Sequence, residues 1–422
     1  MGNSISLKKR IKICFSNISK KSSAFKKFYR TSRYIKNRIR YFYFWFKPVD
    51  EKLVVFEAFM GRKYADSPKA IYEFMKSNDD YNGYKFVWFF RESFIETFRD
   101  ELTDHDTKVV QYGSNEYYKY YATAKYWITN SRIPDPISRK KNQVYVQCWH
   151  GTPLKRLGFD IEVKGDNALN SMKELRKKYA IDAKKYSYMV SPSAFCSEKF
   201  RSAFNLKVVG REDIIIEQGY PRNDFLKNYT TEDVAEIKAA LQLPQDKKVI
   251  LYAPTWRDNQ HQSGLGYTYK NEVDFDKLRE SLGDEYIILF RAHYFVANQF
   301  DFEAYEGFVY NVSDYSEIND LYIVSDRLIT DYSSVFFDYA ILKRPITFYM
   351  YDLEAYRDDI RGFYISLDDL PGNIVQTEEE LINDIKSDEG YYNEVYRNFN
   401  DTYNYLDDGK ASERVVVEIF NK

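Results

Sequence analysis

Short apolar runs alternate with helix-like stretches along this chain, and this alternation limits the possible folds more than any other feature of the sequence. The runs are rich in β-branched and aromatic residues, as buried strands are. Those of the first half lie at 53–59, 86–90, 108–110, 126–130, 144–149, 188–191 and 214–216. Strands that alternate with helices predict a parallel sheet covered by helices on both faces.

The pattern begins again after a linker region that contains Pro221 and the Leu243-Pro244 pair. The later runs lie at 248–253, 286–291, 308–311, 326–330 and 345–349, and helices are predicted at 391–406 and 411–421. We therefore predict two doubly wound α/β domains with a boundary between 220 and 245, and last helices that pack back across them. Ligands bind outside the carboxyl ends of strands in such sheets, so two of them predict a cleft that holds the site.

The segment 1–49 differs in charge from the rest of the chain. It contains fourteen of the 62 Lys and Arg residues and no Asp or Glu, although the net charge of the whole chain is only -1. A basic helix followed by aromatic residues, here 41–46, is typical of an interfacial membrane anchor. A helix packed on the acidic body and an arm that binds nucleic acid are the alternatives. The aromatic cluster favours a lipid headgroup boundary, and no nucleic-acid partner is predicted.

Other classes of protein are disfavoured by what the sequence lacks. No run of 18 or more apolar residues is present, so no transmembrane helix is predicted, and no secretory signal peptide is expected. The three cysteines, Cys14, Cys148 and Cys196, are far apart and form no CxxC pair. This argues against a zinc site or a disulfide framework and favours a reducing, cytoplasmic setting.

Two of the four histidines directly follow predicted strands, where the chemistry of this architecture takes place. His150 follows 144–149 and leads into Gly151-Thr152-Pro153, and His293 follows 286–291. Gly151 permits an unusual backbone and Pro153 can begin a helix. The alternative for each histidine is a satisfied structural or surface residue. His105 and His261 have polar neighbours and are predicted to be exposed loop residues.

Two further strand ends carry groups that suit a phosphate. Thr330-Asp331-Tyr332-Ser333-Ser334 leads from a strand into a helix, where free amides and serine hydroxyls form an anion site that suits a pyrophosphate. The alternative is a plain helix N-cap. Arg257, in Ala253-Pro254-Thr255-Trp256-Arg257, can reach a phosphate through two hydrogen bonds, or it can belong to a surface turn with Asp258.

Several of these segments together resemble the signatures of the CDP-glycerol glycerophosphotransferase family of teichoic acid synthesis, and the similarity covers most of the chain after residue 50. The similar segments, in chain order, are Trp149-His150-Gly151-Thr152-Pro153-Leu154-Lys155, Gly219-Tyr220-Pro221-Arg222-Asn223-Asp224, Tyr252-Ala253-Pro254-Thr255-Trp256-Arg257, Arg291-Ala292-His293, Thr330-Asp331-Tyr332-Ser333-Ser334, Asp338-Tyr339, Tyr351-Asp352-Leu353-Glu354, Tyr356-Arg357 and Arg361-Gly362-Phe363-Tyr364.

The resemblance implies two Rossmann-like doubly wound domains facing a cleft, a GT-B-like α/β fold that follows the basic segment 1–49. Residues 50–235 would form the acceptor domain and residues 236–422 the CDP-donor domain. It also implies a CDP-linked polyol donor, usually CDP-glycerol, an acceptor on undecaprenyl diphosphate, and CMP as a product. The alternative activities are those of a CDP-ribitol-dependent ribitol-phosphate transferase, a capsule polymer phosphotransferase and a nucleotide-sugar glycosyltransferase. A binding protein with a degenerate site is disfavoured by the intact motifs.

The roles implied by the resemblance follow these motifs. His150 would act as the general base, or else bind phosphate, and His293 would share the catalytic centre. The donor phosphates would be bound by Arg257, Arg291, His293, Thr330, Asp331, Ser333, Ser334 and Asp338, and Gly151, Thr152 and Lys155 would lie on the acceptor side. No cofactor or metal is expected, because no Asp-x-Asp motif lies in a cleft position, and free Mg²⁺ would stimulate only by screening charge. The basic segment would hold the enzyme peripherally at an anionic membrane surface, on its cytoplasmic face.

Overall fold

A computed structural model describes residues 23–102, 104–161, 172–255, 261–262, 266–267, 273–292, 300–354, 362–387 and 390–421. Its helices are α1 (Ser23–Trp45), α2 (Asp66–Ser77), α3 (Ile95–Arg99), α4 (Asn115–Thr123), α5 (Met172–Ala183), α6 (Ala194–Ala203), α7 (Leu206–Val209), α8 (Phe225–Asn228), α9 (Thr231–Ala240), α10 (Phe275–Leu282), α11 (Ile318–Val324), α12 (Val335–Tyr339), α13 (Glu378–Lys386), α14 (Glu394–Tyr403) and α15 (Ala411–Phe420). Several helices begin at side-chain caps, such as the capping boxes of Thr230 with Asp233 and of Thr377 with Glu380.

The first sheet has seven parallel strands in the order β3-β2-β1-β4-β5-β6-β7. The strands are β1 (Asp50–Glu57), β2 (Lys85–Phe90), β3 (Thr107–Gln111), β4 (Ala124–Thr129), β5 (Val144–Gln147), β6 (Tyr188–Ser191) and β7 (Ile215–Glu217). Their central residues are buried on both faces, which explains why they appear in the sequence as continuous apolar runs.

The second sheet has six parallel strands in the order β12-β11-β8-β13-β14-β15. The strands are β8 (Lys248–Ala253), β11 (Tyr286–Phe290), β12 (Val309–Asn311), β13 (Arg327–Thr330), β14 (Ile346–Tyr349) and β15 (Asn373–Val375). A separate antiparallel pair is formed by β9 (His261–Gln262) and β10 (Gly266–Tyr267). The predicted fold of two doubly wound domains is confirmed.

The strand order reverses once in each sheet, between β1 and β4 in the first and between β8 and β13 in the second. Such a reversal opens a crevice at the carboxyl ends of the two central strands, because their crossover connections leave in opposite directions. The two crevices face each other across a shared cleft. The reversal points therefore define where a ligand site is expected.

The last helix of the chain does not pack with the domain that precedes it. Val415, Val416, Ile419 and Phe420 of α15 are buried in the hydrophobic core of the first sheet, where the Phe420 ring stacks on Tyr126 at 4.1 Å between centroids. The range 236–422 predicted for the second domain therefore includes one helix whose apolar face completes the first domain. The chain thus crosses between the domains twice.

The described part of the basic segment is the helix α1, which packs against α4 with one face. Arg38 donates to the carbonyl of Pro136 at 2.7 Å, and Tyr41 is fully buried. Phe28 and Ile39 lie on the other face and are 69% and 65% exposed, and Phe46, directly after the helix, is 78% exposed. Among the residues that the structure describes, no helix combines the length and apolar composition needed to span a bilayer.

Candidate active site

The cleft between the two sheets has a volume of about 1340 Å³. It is lined by seven of the residues predicted from the sequence: His150, Gly151, Thr152, Lys155, Arg291, Ser333 and Ser334. Thr330, Asp331 and Asp338 are buried behind its surface, and Arg257 and His293 lie outside the described residues. Small-molecule sites usually measure roughly 300–1,000 Å³, so the cleft has room for two substrates.

His150 is held in one tautomer by the main chain. Its Nδ1 lies 3.0 Å from the carbonyl oxygen of Asn130, and because a carbonyl only accepts, Nδ1 must carry the proton. This leaves Nε2 with a free lone pair in the neutral imidazole. The His150 side chain is exposed to the cleft, but the protein atoms around the cleft partly desolvate the ring, and this lowers its pKa below the usual 6.5. The ring is therefore neutral near pH 7 and able to accept a proton.

The residue before His150 is strained. Trp149 has a left-handed backbone with φ of 54°, a conformation that costs a non-glycine residue about 1–3 kcal/mol. Its amide donates to Gln147 Oε1 at 2.9 Å, and its indole stacks on the His150 ring at 4.6 Å between centroids. Phe204 packs edge-on against the same indole. The strain therefore serves to turn the chain at the strand end and to fix the histidine ring.

The two walls of the cleft approach each other closely at Gly151. A Cβ atom at this position would lie 3.1 Å from Ser334 Oγ, so a side chain here would press on the opposite domain. Gly151 thus brings the segment that carries His150 against the start of α12, where Ser333 and Ser334 lie. The general-base candidate and the predicted phosphate-binding serines are consequently neighbours across the cleft.

Lys155 belongs to a second contact between the domains. The segment after His150 pairs with 362–364: Lys155 bridges to Phe363, Arg156 N donates to Gly362 O at 3.0 Å, and Tyr364 N donates to Leu154 O at 2.9 Å. The Phe363 ring in turn lies parallel to Tyr332 at 6.0 Å. These bonds hold the acceptor-side segment and the residues that precede Ser333 in register.

Arg291 and Lys63 bring two cations together in the cleft. Arg291 Nη1 donates to the carbonyls of Val312 and Tyr315 at 3.0 and 2.9 Å. Lys63, from the other domain, donates to the carbonyls of Tyr315 and Ser316 at 3.0 and 3.2 Å. Burial, followed by the charge of Arg291, lowers the pKa of Lys63 to about 8, and burial lowers that of Arg291. An anion in the cleft would stabilise the charged form of both side chains.

Thr330 and Asp331 support the site from behind. The Thr330 hydroxyl donates to Ala253 O at 2.8 Å, and Asp331 Oδ1 accepts from the amides of Thr255 and Tyr332 at 2.8 and 2.6 Å. Their side chains are occupied with the backbone because they point between the ends of β8 and β13. The structure therefore places them as braces of the wall on which Ser333 and Ser334 lie.

Asp338 was predicted as a phosphate ligand, but the structure places it in a buried ion pair between the domains. Both of its oxygens accept from Arg222, at 3.0 and 3.2 Å, and Asn223 Nδ2 donates to it at 3.1 Å. Asp66 lies 3.7 Å from the same guanidinium, and the Tyr220 ring lies 4.1 Å from it. A carboxylate at the cleft surface would repel a phosphate, whereas here it neutralises an arginine that has no access to water.

Four further residues complete the site and were missed from the sequence. Arg62, Lys63 and Arg91 line the first wall, and Asn130 holds His150. Arg62 and Lys63 also follow a strand and carry the polar groups expected at the cleft. The end of this strand, β1, was predicted at Phe59, whereas the structure places it at Glu57. Among the described residues, no cluster of three metal-ligating side chains occurs. That the activity requires no metal cofactor stays a prediction.

Known proteins resemble the chain over nearly its whole length. The sequence profile for CDP-Glycerol:Poly(glycerophosphate) glycerophosphotransferase matches residues 39–421. A teichoic acid poly(glycerol phosphate) polymerase of Bacillus spizizenii is 40% identical over 375 residues, 88% of this chain and 93% of the relative. The corresponding polymerase of Bacillus subtilis is 42% identical, but this chain spans only 49% of it. A solved structure of the wall teichoic acid polymerase TagF superposes with a TM-score of 0.82 at 38% identity, covering 94% of this chain and 97% of the other.

Proposed function

The chain belongs to the CDP-glycerol:poly(glycerophosphate) glycerophosphotransferase family, and we propose that it transfers glycerol phosphate from CDP-glycerol to a lipid-linked teichoic acid acceptor, with release of CMP. It is a glycerophosphotransferase of the teichoic acid class. The observation that carries the proposed reaction is the position of His150, whose Nδ1 is fixed by Asn130 O at 3.0 Å and which shares the cleft with Arg291, Ser333 and Ser334 of the opposite wall.

His150 acts as the general base in this reaction. The acceptor hydroxyl gives its proton to Nε2 while its oxygen attacks the phosphorus that carries glycerol. The bond from that phosphorus to the oxygen of CMP breaks, and CMP leaves with the electron pair. General-base assistance of this kind accelerates a reaction by roughly 10²–10⁴. The lowered pKa of His150 keeps the ring unprotonated at neutral pH, as this role requires.

The donor pyrophosphate lies against the second wall. Arg291, Ser333 and Ser334 line this wall and supply a cation and two hydroxyls where charge develops during transfer. Phosphoryl transfer depends mainly on such positioning and charge stabilisation. Arg257 and His293 are proposed as further donor ligands from their motifs, while Gly151, Thr152 and Lys155 face the acceptor. Mg²⁺ is not required in this scheme and would act only by screening.

The helix α1 holds the enzyme at the cytoplasmic face of the membrane. Phe28, Ile35, Ile39 and Phe42 follow one another at helical spacing and are all exposed, as is Phe46 directly after the helix, while the opposite face packs on α4. Basic residues such as Lys36 accompany this stripe, and each contributes roughly 1 kcal/mol of attraction to an anionic leaflet. An undecaprenyl-diphosphate-linked acceptor would be met at such a surface.

The donor and the reaction are tested by measuring CMP release. The full chain is incubated with CDP-glycerol or with CDP-ribitol, each with and without a lipid-linked glycerol phosphate acceptor. We expect acceptor-dependent CMP release with CDP-glycerol and much less with CDP-ribitol. A preference for CDP-ribitol would assign the donor to the other polyol. Consumption of neither donor would overturn the proposed function.

Membrane attachment is tested with vesicles that contain anionic lipid. Replacing Phe28, Ile39 and Phe46 by Ser should release the protein from the vesicles, because the exposed stripe loses its apolar area. Val208→Ser is the matched control, since Val208 is 76% exposed on a different helix. Equal sedimentation of the triple variant and the control with the vesicles would refute the attachment by α1.

A further inference from the structure

A basic loop lies on the first wall of the cleft, in the segment that connects β1 to α2. Phe59 and Met60 have left-handed backbones, with φ of 47° and 57°, and Gly61 follows with 73°. A Cβ atom at Gly61 would lie 3.0 Å from the carbonyl oxygen of Phe89, so only glycine fits at this turn. The loop ends in Arg62 and Lys63, which both line the cleft.

Arg91 holds this loop in place. Its backbone amide donates to Gly61 O at 2.7 Å, and its Nε donates to Met60 O at 2.9 Å. The guanidinium also lies over the Tyr112 ring at 5.2 Å. Arg91 lines the cleft as well, so the brace of the loop adds a third positive charge to the wall. Left-handed residues persist only where the surroundings fix them, and they gather at ligand sites.

Among the described residues, no carboxylate lies within ion-pair distance of Lys63. Its hydrogen bonds go to the carbonyls of Tyr315 and Ser316, and the side chain of Arg291 bonds to the first of these. Arg291 opposes the charge of Lys63, whereas the carboxylates of Glu317 and Asp314 favour it. Burial outweighs them and lowers the pKa of Lys63 to about 8. A bound phosphate would supply the missing negative charge.

The basic loop and the general base are tied together through Asn130. The Asn130 side-chain oxygen accepts from Phe59 N at 2.8 Å, and its main-chain oxygen accepts from His150 Nδ1 at 3.0 Å. The Phe59 and His150 rings are 6.5 Å apart between centroids. Asn130 thus links the loop that ends in Arg62 and Lys63 to His150, and all three side chains line the same cleft.

We propose that Arg62 and Lys63, braced by Arg91, bind the phosphate of the acceptor's terminal polyol phosphate unit. This subsite rests on the proposed function and names which acceptors it favours. In a glycerol phosphate chain only the glycerol carbons separate the terminal hydroxyl from its nearest phosphate, so one terminal unit offers both a hydroxyl to His150 and a phosphate to the loop in the same cleft. An acceptor that ends in an uncharged sugar offers no such phosphate. The wall thus selects acceptors that already carry a polyol phosphate end.

The test compares two lipid-linked acceptors, one ending in glycerol phosphate and one ending in an uncharged sugar, with the full chain. Lys63→Met should raise the KM for the phosphate-ended acceptor about tenfold or more, since a hydrogen bond to a charged group is lost. The KM for the sugar-ended acceptor and the affinity for CDP-glycerol, measured by calorimetry, should change much less. Arg62→Gln should act in the same direction, and Lys63→Arg should restore binding.

Lys108→Met is the matched control, because Lys108 pairs with Glu116 on the outside of the same domain. A rise in the KM for CDP-glycerol, or equal effects on both acceptors, would overturn the subsite. If the wild-type chain releases no CMP from any donor, the proposed function fails. The subsite is then decided by direct calorimetry with the phosphate-ended acceptor, which Lys63→Met must weaken.

The wild type also carries a pH signature. Because the pKa of Lys63 is about 8, the free lysine loses its charge as the pH rises through that value. The KM for the phosphate-ended acceptor should therefore increase above pH 8 in the wild type and stay flat in Lys63→Arg. The same dependence in both proteins would remove Lys63 from the subsite.

Discussion

The two walls of the cleft are built in different ways, although both lie at the reversal point of the same kind of sheet. On the first wall, Phe59, Met60 and Trp149 hold left-handed backbones and turn the chain sharply after β1 and β5. On the described part of the second wall, positive φ angles are absent, and the strand ends are braced by Thr330 and Asp331. Strain is thus found on the wall that we assign to the base and the acceptor, and regular strand ends on the wall that we assign to the donor. The following changes test this difference.

The largest effect is expected from His150. Replacing it with Ala removes the base from the first wall and should lower kcat for CMP release by roughly 10²–10⁴. The KM for CDP-glycerol should hardly change, because the donor is bound by the opposite wall. The measurement is steady-state CMP release with saturating acceptor. A near-normal kcat would show that His150 binds substrate and that another group acts as base.

The second effect concerns the contact that fixes the walls relative to each other. Asp338→Ala leaves the buried Arg222 without its bidentate partner and should lower the free energy of unfolding by about 3–5 kcal/mol. The exposed pair of Arg414 with Asp408 is the control, and Asp408→Ala should cost about 0–1 kcal/mol. Both values come from urea titrations. Similar losses in the two variants would mean that Arg222 does not join the domains.

Asn130 joins the left-handed segment at Phe59 to His150 on the first wall. Replacing it should have a smaller effect that can be separated from the two above. Asn130→Ala leaves the amide of Phe59 without its acceptor, at a cost of about 1–3 kcal/mol, and should lower kcat more than it changes the KM for CDP-glycerol. Asn130→Asp retains an oxygen at this position and should recover most of the rate. Its added negative charge favours protonated His150, so the acid limb of the pH–rate profile should move to higher pH. Identical profiles for the wild type and Asn130→Asp would argue against this link.

Most strands of the two parallel sheets could be predicted because buried parallel strands appear as continuous apolar runs. The strand β15, Asn373–Val375, was missed because it is short and only its last residue is buried. The residue types of the site were also recognised, since polar groups follow β5, β11 and β13. The directions of these side chains were not predicted, because a sequence does not show whether Asp331 faces the cleft or the neighbouring amides. Lys63 and Arg222 depend on contacts between residues that are far apart in the chain.

The smallest effect tests the electrostatic balance around His150. Asp66 raises the pKa of His150 and Arg222 lowers it, while desolvation sets the net decrease below 6.5. Asp66→Asn keeps an oxygen for the amide of Ser67 but removes the charge, so protonated His150 loses support and its pKa should fall further. A base with a lower pKa is active to lower pH, so the acid limb of kcat/KM should move downward, in the direction opposite to Asn130→Asp. The plateau rate should stay nearly unchanged, because His150 keeps its bond to Asn130. An upward shift in Asp66→Asn would mean that the acid limb reports a group other than His150.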